Sequence, residues 1–145
     1  MDRYLYSAKP INSDDWIVGF VSRFENKFYI TTIDTNNTIE VIPYTICQHI
    51  GMLDKNNTRL KEYDIVKRES VNGNAGGAGL YVIKWNAGYA MFGLYDVKSK
   101  QFDTDYHNRS YKIIPKKVLK LGTVFEDQHY WDLMKNEILN NNKIG

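Results

Sequence analysis

The chain has 145 residues, of which 43% are hydrophobic and 25% are charged, proportions typical of one globular domain. Its formal net charge of +2 is nearly balanced and gives no strong sign of a nucleic-acid-binding protein, which would carry a concentrated basic face. The single cysteine, Cys47, excludes an internal disulfide and a metal site made of several cysteines.

The cellular location follows from the same features. A lone cysteine fits a reducing compartment. The first ten residues lack the apolar segment of a signal peptide, and no run reaches the length of a transmembrane helix. We therefore expect a cytoplasmic protein that does not associate with a membrane.

The N-terminal part of the chain predicts a β-meander. Aromatic residues make up 14% of the sequence, and with Ile and Val they favour half-buried strands over helices. Asn-rich and charged triplets between the apolar runs are typical of turns. The predicted strands are 16–24, 28–34 and 38–42, with turns at 25–27 and 35–37 and a stop at Pro43.

The middle of the chain continues with short strands. Residues 44–51 are ambiguous, and residues 53–60 predict a polar turn. Apolar runs on either side of Ala87–Gly88 predict a hairpin. The further predicted strands are 63–70, 80–86, 89–97, 111–114 and 117–125, with a polar segment at 98–110.

The C-terminal end predicts one amphipathic helix over about 127–141, with Asp127 as its N-cap. Trp131 lies beside the apolar stripe of this helix, so we predict an interface role for it, with core packing as the alternative. The stripe consists of Tyr130, Leu133, Met134 and Ile138.

Residues 50–67, IGMLDKNNTRLKEYDIVK, carry a resemblance. The segment is similar to TGLKDKNGKEIYEGDIVK, the hallmark of the YopX-like family of small phage and prophage proteins, and looser similarity covers most of 16–133. Asn57 replaces the family's turn glycine, and because Asn tolerates positive φ we expect the turn to survive. Tyr63 replaces a second glycine, so either the chain turns less tightly there or the relationship is more distant. The positions that carry the resemblance are Gly51, Asp54, Lys55, Asn56, Asp64, Ile65 and Val66, and Leu53 beside them stands where the printed family segment has a lysine.

The resemblance implies a small, mostly β, barrel-like fold with a short C-terminal helix, and an oligomer. We therefore expect a single domain over 1–145, a small barrel or curled antiparallel sheet of SH3-like character with one C-terminal helix. The family brings no settled activity, but its phage context suggests interference with host defence. From the residues themselves, Asp54, Asn56 and Asn57 are turn-formers, and Asp64 caps loop N–H groups before a buried strand.

Residues 71–80, VNGNAGGAGL, hold four of the ten glycines. A Walker loop would need a following Lys-Ser/Thr and a helix, and the third glycine of a dinucleotide-binding motif would fall on Val82. The stretch therefore predicts a long loop between two strands. The N–H groups of Gly76 and Gly77 could still hold an anion without catalysis.

The segment 109–120 is basic and contains no acid. Its cations could bind phosphates, a polyanionic partner or single-stranded nucleic acid, although such a run is more often a solvated surface. The candidate anion-binding residues are Arg109, Lys112, Lys116 and Lys117.

Two other groups of residues are weak candidates for a metal site or a catalytic site. Asp103, Asp105 and His107 would share one face of a strand and could bind a divalent metal, but solvated side chains are the better interpretation. Cys47 and His49 share a strand face, and a buried cysteine beside a surface histidine is favoured over a catalytic pair.

We therefore predict no catalytic residue, no metal and no cofactor. The predicted function is that of a non-enzymatic phage or prophage accessory protein in the cytoplasm of a bacterial host. It would inhibit host defence by sequestering a nucleotide-type signal or a host protein, as a homo-oligomer with its site between subunits. The alternative is a nucleic-acid-binding module that uses residues 109–120.

Overall fold

A computed structural model describes residues 4–69, 79–103 and 113–141 of the chain. Its contacts divide the chain into two compact units, one of residues 1–51 and 135–145 and the other of residues 52–134. Antiparallel strands dominate, and a helix follows them at the C-terminal end, which confirms the predicted fold class.

The described residues contain eleven strands and an α-helix. The strands are β1 Tyr6–Ala8, β2 Ile17–Phe24, β3 Lys27–Thr32, β4 Thr38–Val41, β5 Cys47–Leu53, β6 Arg59–Lys61, β7 Asp64–Arg68, β8 Gly79–Asn86, β9 Met91–Asp96, β10 Gln101–Phe102 and β11 Val118–Thr123. The helix is α1 Gln128–Asn141, and short 3-10 turns cover Pro43–Thr45, Pro115–Lys117 and Val124–Glu126.

The first unit is a curled antiparallel sheet in the order β4-β3-β2-β1-β5. The predicted meander is present, and its two turns place Glu25 and Asn36 at φ of 57° and 58°. A side chain at Gly19 would overlap the Thr31 carbonyl, so glycine is required where β2 meets β3. The core of this sheet is formed by Ala8, Ile30 and Val41.

The second unit contains the five-stranded antiparallel sheet β10-β9-β8-β7-β11. The predicted hairpin around Ala87–Gly88 is the β8–β9 pair. In β7, Lys67 is exposed and the other residues are buried, so this strand is covered on much of both faces rather than alternating along its length.

Several predicted elements were wrong in detail. Strands β1 and β6 were not predicted, and neither was β10, which lies within the segment 98–110 that was predicted only to be polar. Ile113 and Ile114, expected in a strand, are outside the strands, since the chain is about to enter the Pro115 turn. The strand predicted at 117–125 ends at Thr123, where the next 3-10 turn begins.

Helix α1 begins one residue after its predicted N-cap. The Asp127 Oδ1 accepts the N–H of Tyr130 at 3.0 Å, which confirms the cap. Met134 and Ile138 of the predicted apolar stripe are buried, whereas Leu133, a third member of that stripe, is 52% exposed. The buried line follows every fourth residue, and Leu133 lies about 100° around the helix from Met134. Within the described ranges no helix is long and apolar enough to cross a membrane.

Candidate functional site

A turn between β5 and β6 is fixed by Asp54. Its Oδ1 accepts the N–H groups of Asn56 and Thr58, and its Oδ2 accepts the N–H of Lys120 in β11, each at 2.8 Å. Burial raises the pKa of Asp54. The three N–H donors and the Lys120 charge together lower it by more than burial raises it, so its pKa lies below the ordinary value. Asn57 adopts φ of 63°, as predicted for the position that replaces glycine. The turn is therefore rigidly tied to β11.

Asp64 has the capping role predicted from the sequence. Its carboxylate is fully buried and accepts the backbone N–H of Lys61 at 2.9 Å. The ammonium groups of Lys61 and Lys120 approach its two oxygens at 2.8 and 3.2 Å. Asp54 and Asp64 are thus both engaged in holding the backbone and neighbouring lysines, which is a structural role.

The chain turns tightly at Tyr63, although a tyrosine stands there in place of the family's glycine. Tyr63 has φ of 66°, and its N–H donates to the Ile83 carbonyl at 2.7 Å. Its buried ring meets the ring of Phe125 edge-on at 5.9 Å, and Phe125 in turn contacts Trp131 at 5.9 Å. Trp131 is thus half-buried and packs within its own unit. Its predicted interface role stays a prediction.

Lys55 is paired with Glu69, and Lys67 and Lys117 lie close enough to the same carboxylate for their charges to lower its pKa. The Lys55 ammonium contacts the Glu69 carboxylate at 2.7 Å, and the Glu69 N–H donates to the Lys117 carbonyl at 2.9 Å. The hydrogen bond and charge of Lys55 lower the pKa of Glu69 most, and the charges of Lys117 and Lys67 lower it further. We call Lys55, Lys67 and Lys117 around Glu69 the lysine patch.

The lysine patch includes only part of the anion site predicted from the sequence. Lys117 belongs to it, and Lys116 is an exposed neighbour in the same 3-10 turn. Lys55 and Lys67 were missed because strand pairing, rather than sequence proximity, brings them to Lys117. The predicted residues Arg109, Lys112, Gly76 and Gly77 lie outside the described residues.

A groove lies on the same unit, beside the first turn of α1. Two adjoining cavities of about 270 and 340 Å³ share Leu80 and Tyr130 in their linings. Burial raises the pKa of Tyr130, and the negative charges of Asp127 and Asp96 raise it further, so its phenol stays a hydrogen-bond donor at neutral pH. The other lining residues are Asp96, Val97, Lys98, His129 and Leu133 in one cavity, and Ile65, Leu121, Gly122, Thr123, Glu126 and Asp127 in the other.

Two weaker candidates from the sequence are buried. Cys47 is fully buried as predicted, but His49, predicted on the surface, is also buried, since it shares the inward face of β5. His49 Nε2 is hydrogen-bonded to Ser7 Oγ at 2.6 Å, so this pair is enclosed rather than exposed to a substrate.

Asp103 was expected to be solvated, but it forms an ion pair with buried Arg68. Burial raises the pKa of Asp103, although the Arg68 charge opposes this shift. Its predicted partners Asp105 and His107 lie outside the described residues. Within residues 4–69, 79–103 and 113–141, no group of three or more His, Cys, Asp or Glu side chains could hold a metal ion.

Comparison with known proteins finds no matching family model and no matching curated protein. The relationship to YopX-like proteins stays a prediction from the 50–67 segment. Function is therefore best argued from the lysine patch and the groove.

Proposed function

We propose that the protein is a non-enzymatic binding protein that holds a phosphate-bearing or otherwise polyanionic ligand on the lysine patch. The Lys55–Glu69 ion pair, with Lys67 and Lys117 close enough for their charges to act on the same carboxylate, supports this proposal best. The three lysines and Glu69 together carry a formal charge of +2, which equals the net charge of the whole chain.

The fixed backbone beneath the lysine patch supports binding. The turn that carries Lys55 is tied to β11 through Asp54, and the Lys55 N–H donates to the Val118 carbonyl at 3.0 Å. Lys67 projects from β7, between β8 and β11. A preformed cationic surface loses less entropy when it orders around an anion.

In its biological setting, the protein would be a phage or prophage accessory factor that acts in the bacterial cytoplasm. It would interfere with host defence by sequestering a nucleotide-type signal or an acidic host protein. In an oligomer, the neighbouring subunit would complete the binding site. The 50–67 resemblance motivates this part of the proposal, and the lysine patch supplies a chemistry that fits it.

Binding of single-stranded nucleic acid is the second candidate. The exposed Lys116 extends the lysine patch along the chain and favours a longer anionic ligand. The salt dependence of binding separates a small polyanionic ligand from single-stranded nucleic acid, because the slope of log affinity against log salt concentration grows with the number of phosphates contacted. A single-stranded oligonucleotide that contacts the whole patch would give a steeper slope than tripolyphosphate.

Calorimetric titration with tripolyphosphate tests the proposal. Lys67→Glu should weaken binding by about tenfold or more, because it replaces a cation of the lysine patch by an anion. A tenfold loss corresponds to about 1.4 kcal/mol of binding free energy. Lys27→Glu is the matched control, because Lys27 is an exposed strand lysine in the first unit and the charge change is the same. Equal effects of the two substitutions, or no binding by the wild type, would refute the lysine patch as the site.

A further inference from the structure

The lysine patch and the groove are neighbours on one face of the second sheet. Ile65 and Lys67 project from the same face of β7, about 7 Å apart along the strand. Ile65 lines the groove, whereas Lys67 belongs to the lysine patch. Leu80 lies directly opposite Lys67 on β8 and lines both cavities. The cationic surface therefore meets the groove at the Lys67–Leu80 pair.

The groove differs chemically from the lysine patch. Leu80, Leu121 and Leu133 form apolar walls that are 50%, 54% and 52% exposed. Carboxylates at Asp96, Glu126 and Asp127 add hydrogen-bond acceptors to this lining, and Lys98 adds one cation at its edge. A ligand complementary to both surfaces is anionic at one end, and at the other end it has an apolar body that carries hydrogen-bond donors.

We propose that the lysine patch and the groove form one site for a small nucleoside phosphate. Its phosphates lie on Lys55, Lys67 and Lys117, and its nucleoside lies against Leu80 and Tyr130. This inference rests on the proposed anion-binding function and narrows its ligand to nucleotides. The ribose hydroxyls and base amino groups supply the donors, and the base supplies an apolar face. The larger cavity, of about 340 Å³, lies at the lower end of the volumes of small-molecule sites, and the adjoining cavity of about 270 Å³ extends it.

Calorimetry with the four ribonucleoside diphosphates and inorganic pyrophosphate tests this inference. At least one diphosphate should bind about tenfold or more tightly than pyrophosphate, because only the nucleoside reaches the groove. Equal affinities would overturn the nucleotide site and leave the anion-binding function standing. If neither pyrophosphate nor any nucleotide binds, both proposals fall. A single-stranded tetranucleotide that binds more tightly than every diphosphate would overturn the inference in favour of a nucleic-acid strand.

Substitutions in the groove locate the nucleoside. Leu80→Ser and Leu133→Ser should each lower the ratio of nucleotide to pyrophosphate affinity by about fivefold, because each removes an apolar wall. Leu139→Ser is the matched control, since Leu139 is a 44% exposed leucine of α1 outside the groove lining. An equal loss in the control, or an unchanged ratio in both groove variants, would overturn the inference. Thermal melts of the three variants establish that each is folded.

Discussion

Replacement of Asp54 by alanine removes the side chain that ties the turn at 54–58 to β11. Three backbone N–H groups lose their acceptor, those of Asn56, Thr58 and Lys120. The two turn N–H groups belong to exposed residues and regain water, so each loss costs about 0.5–1 kcal/mol. The Lys120 N–H lies in a strand, and its loss costs about 1.5–2 kcal/mol. We expect a total loss of about 3 kcal/mol in the free energy of unfolding, and a Tm lowered by about 6–12 °C.

Two further variants separate the contributions. Asp54→Asn keeps an acceptor for the turn but can place its amide N–H₂ group against the Lys120 N–H, so we expect a loss of about 2 kcal/mol. Asp34→Ala is the matched control, because the exposed Asp34 carboxylate accepts only the Thr35 N–H, at 2.8 Å, among the hydrogen bonds found for it in the described residues. We expect this control to lose about 0.5 kcal/mol.

Urea unfolding followed by circular dichroism measures these differences. Because the folded-state pKa of Asp54 lies below its ordinary 3.8, its stabilisation is fully present above that value. The stabilisation is lost as pH falls through the lowered folded-state pKa, so the gap between wild type and Asp54→Ala should shrink in acid. The reasoning is refuted if Asp54→Ala loses no more stability than Asp34→Ala at neutral pH, or if the gap is unchanged in acid.

The remaining predictions concern Asn57 and Tyr63, the two residues at positive φ that stand in place of glycine, and the buried face of α1. Tyr63→Gly should relieve about 1 kcal/mol of backbone strain but lose about 2–3 kcal/mol of ring burial, whereas Asn57→Gly should stay within about 0.5 kcal/mol of wild type. Equal thermal shifts in these two variants would contradict the packing role of Tyr63. Met134→Ala should cost about 3 kcal/mol and Leu133→Ala about 0.5 kcal/mol, since only Met134 is buried. Similar urea midpoints for this pair would contradict the helix orientation.

The sequence predicted strands best where turn residues bracket a long apolar run, as in β2, β3, β8 and β9. Strands β1, β6 and β10 have only two or three residues, too few for an alternating pattern to be visible. Leu133 fits the helical spacing as well as Met134 does. Only the packing of the helix decides which of the two is buried.

The candidate site was partly predictable. Lys117 lies in a basic run that the sequence displays, and Asp54 and Asp64 have the predicted turn and capping roles. Lys67 could not be assigned to the site because its position depends on the register of β7 with β8 and β11. The groove depends on the same register together with the placement of Tyr130, so local patterns could not reveal it.

A nuclear magnetic resonance titration tests the central claim most directly. Pyrophosphate added to isotope-labelled protein should give saturable shifts of the amides of Lys67, Glu69 and Lys117. A ribonucleoside diphosphate should also shift the methyl groups of Leu80. Saturable shifts confined to the first unit, or an absence of any saturable shift, would contradict the assignment of the lysine patch as the binding site.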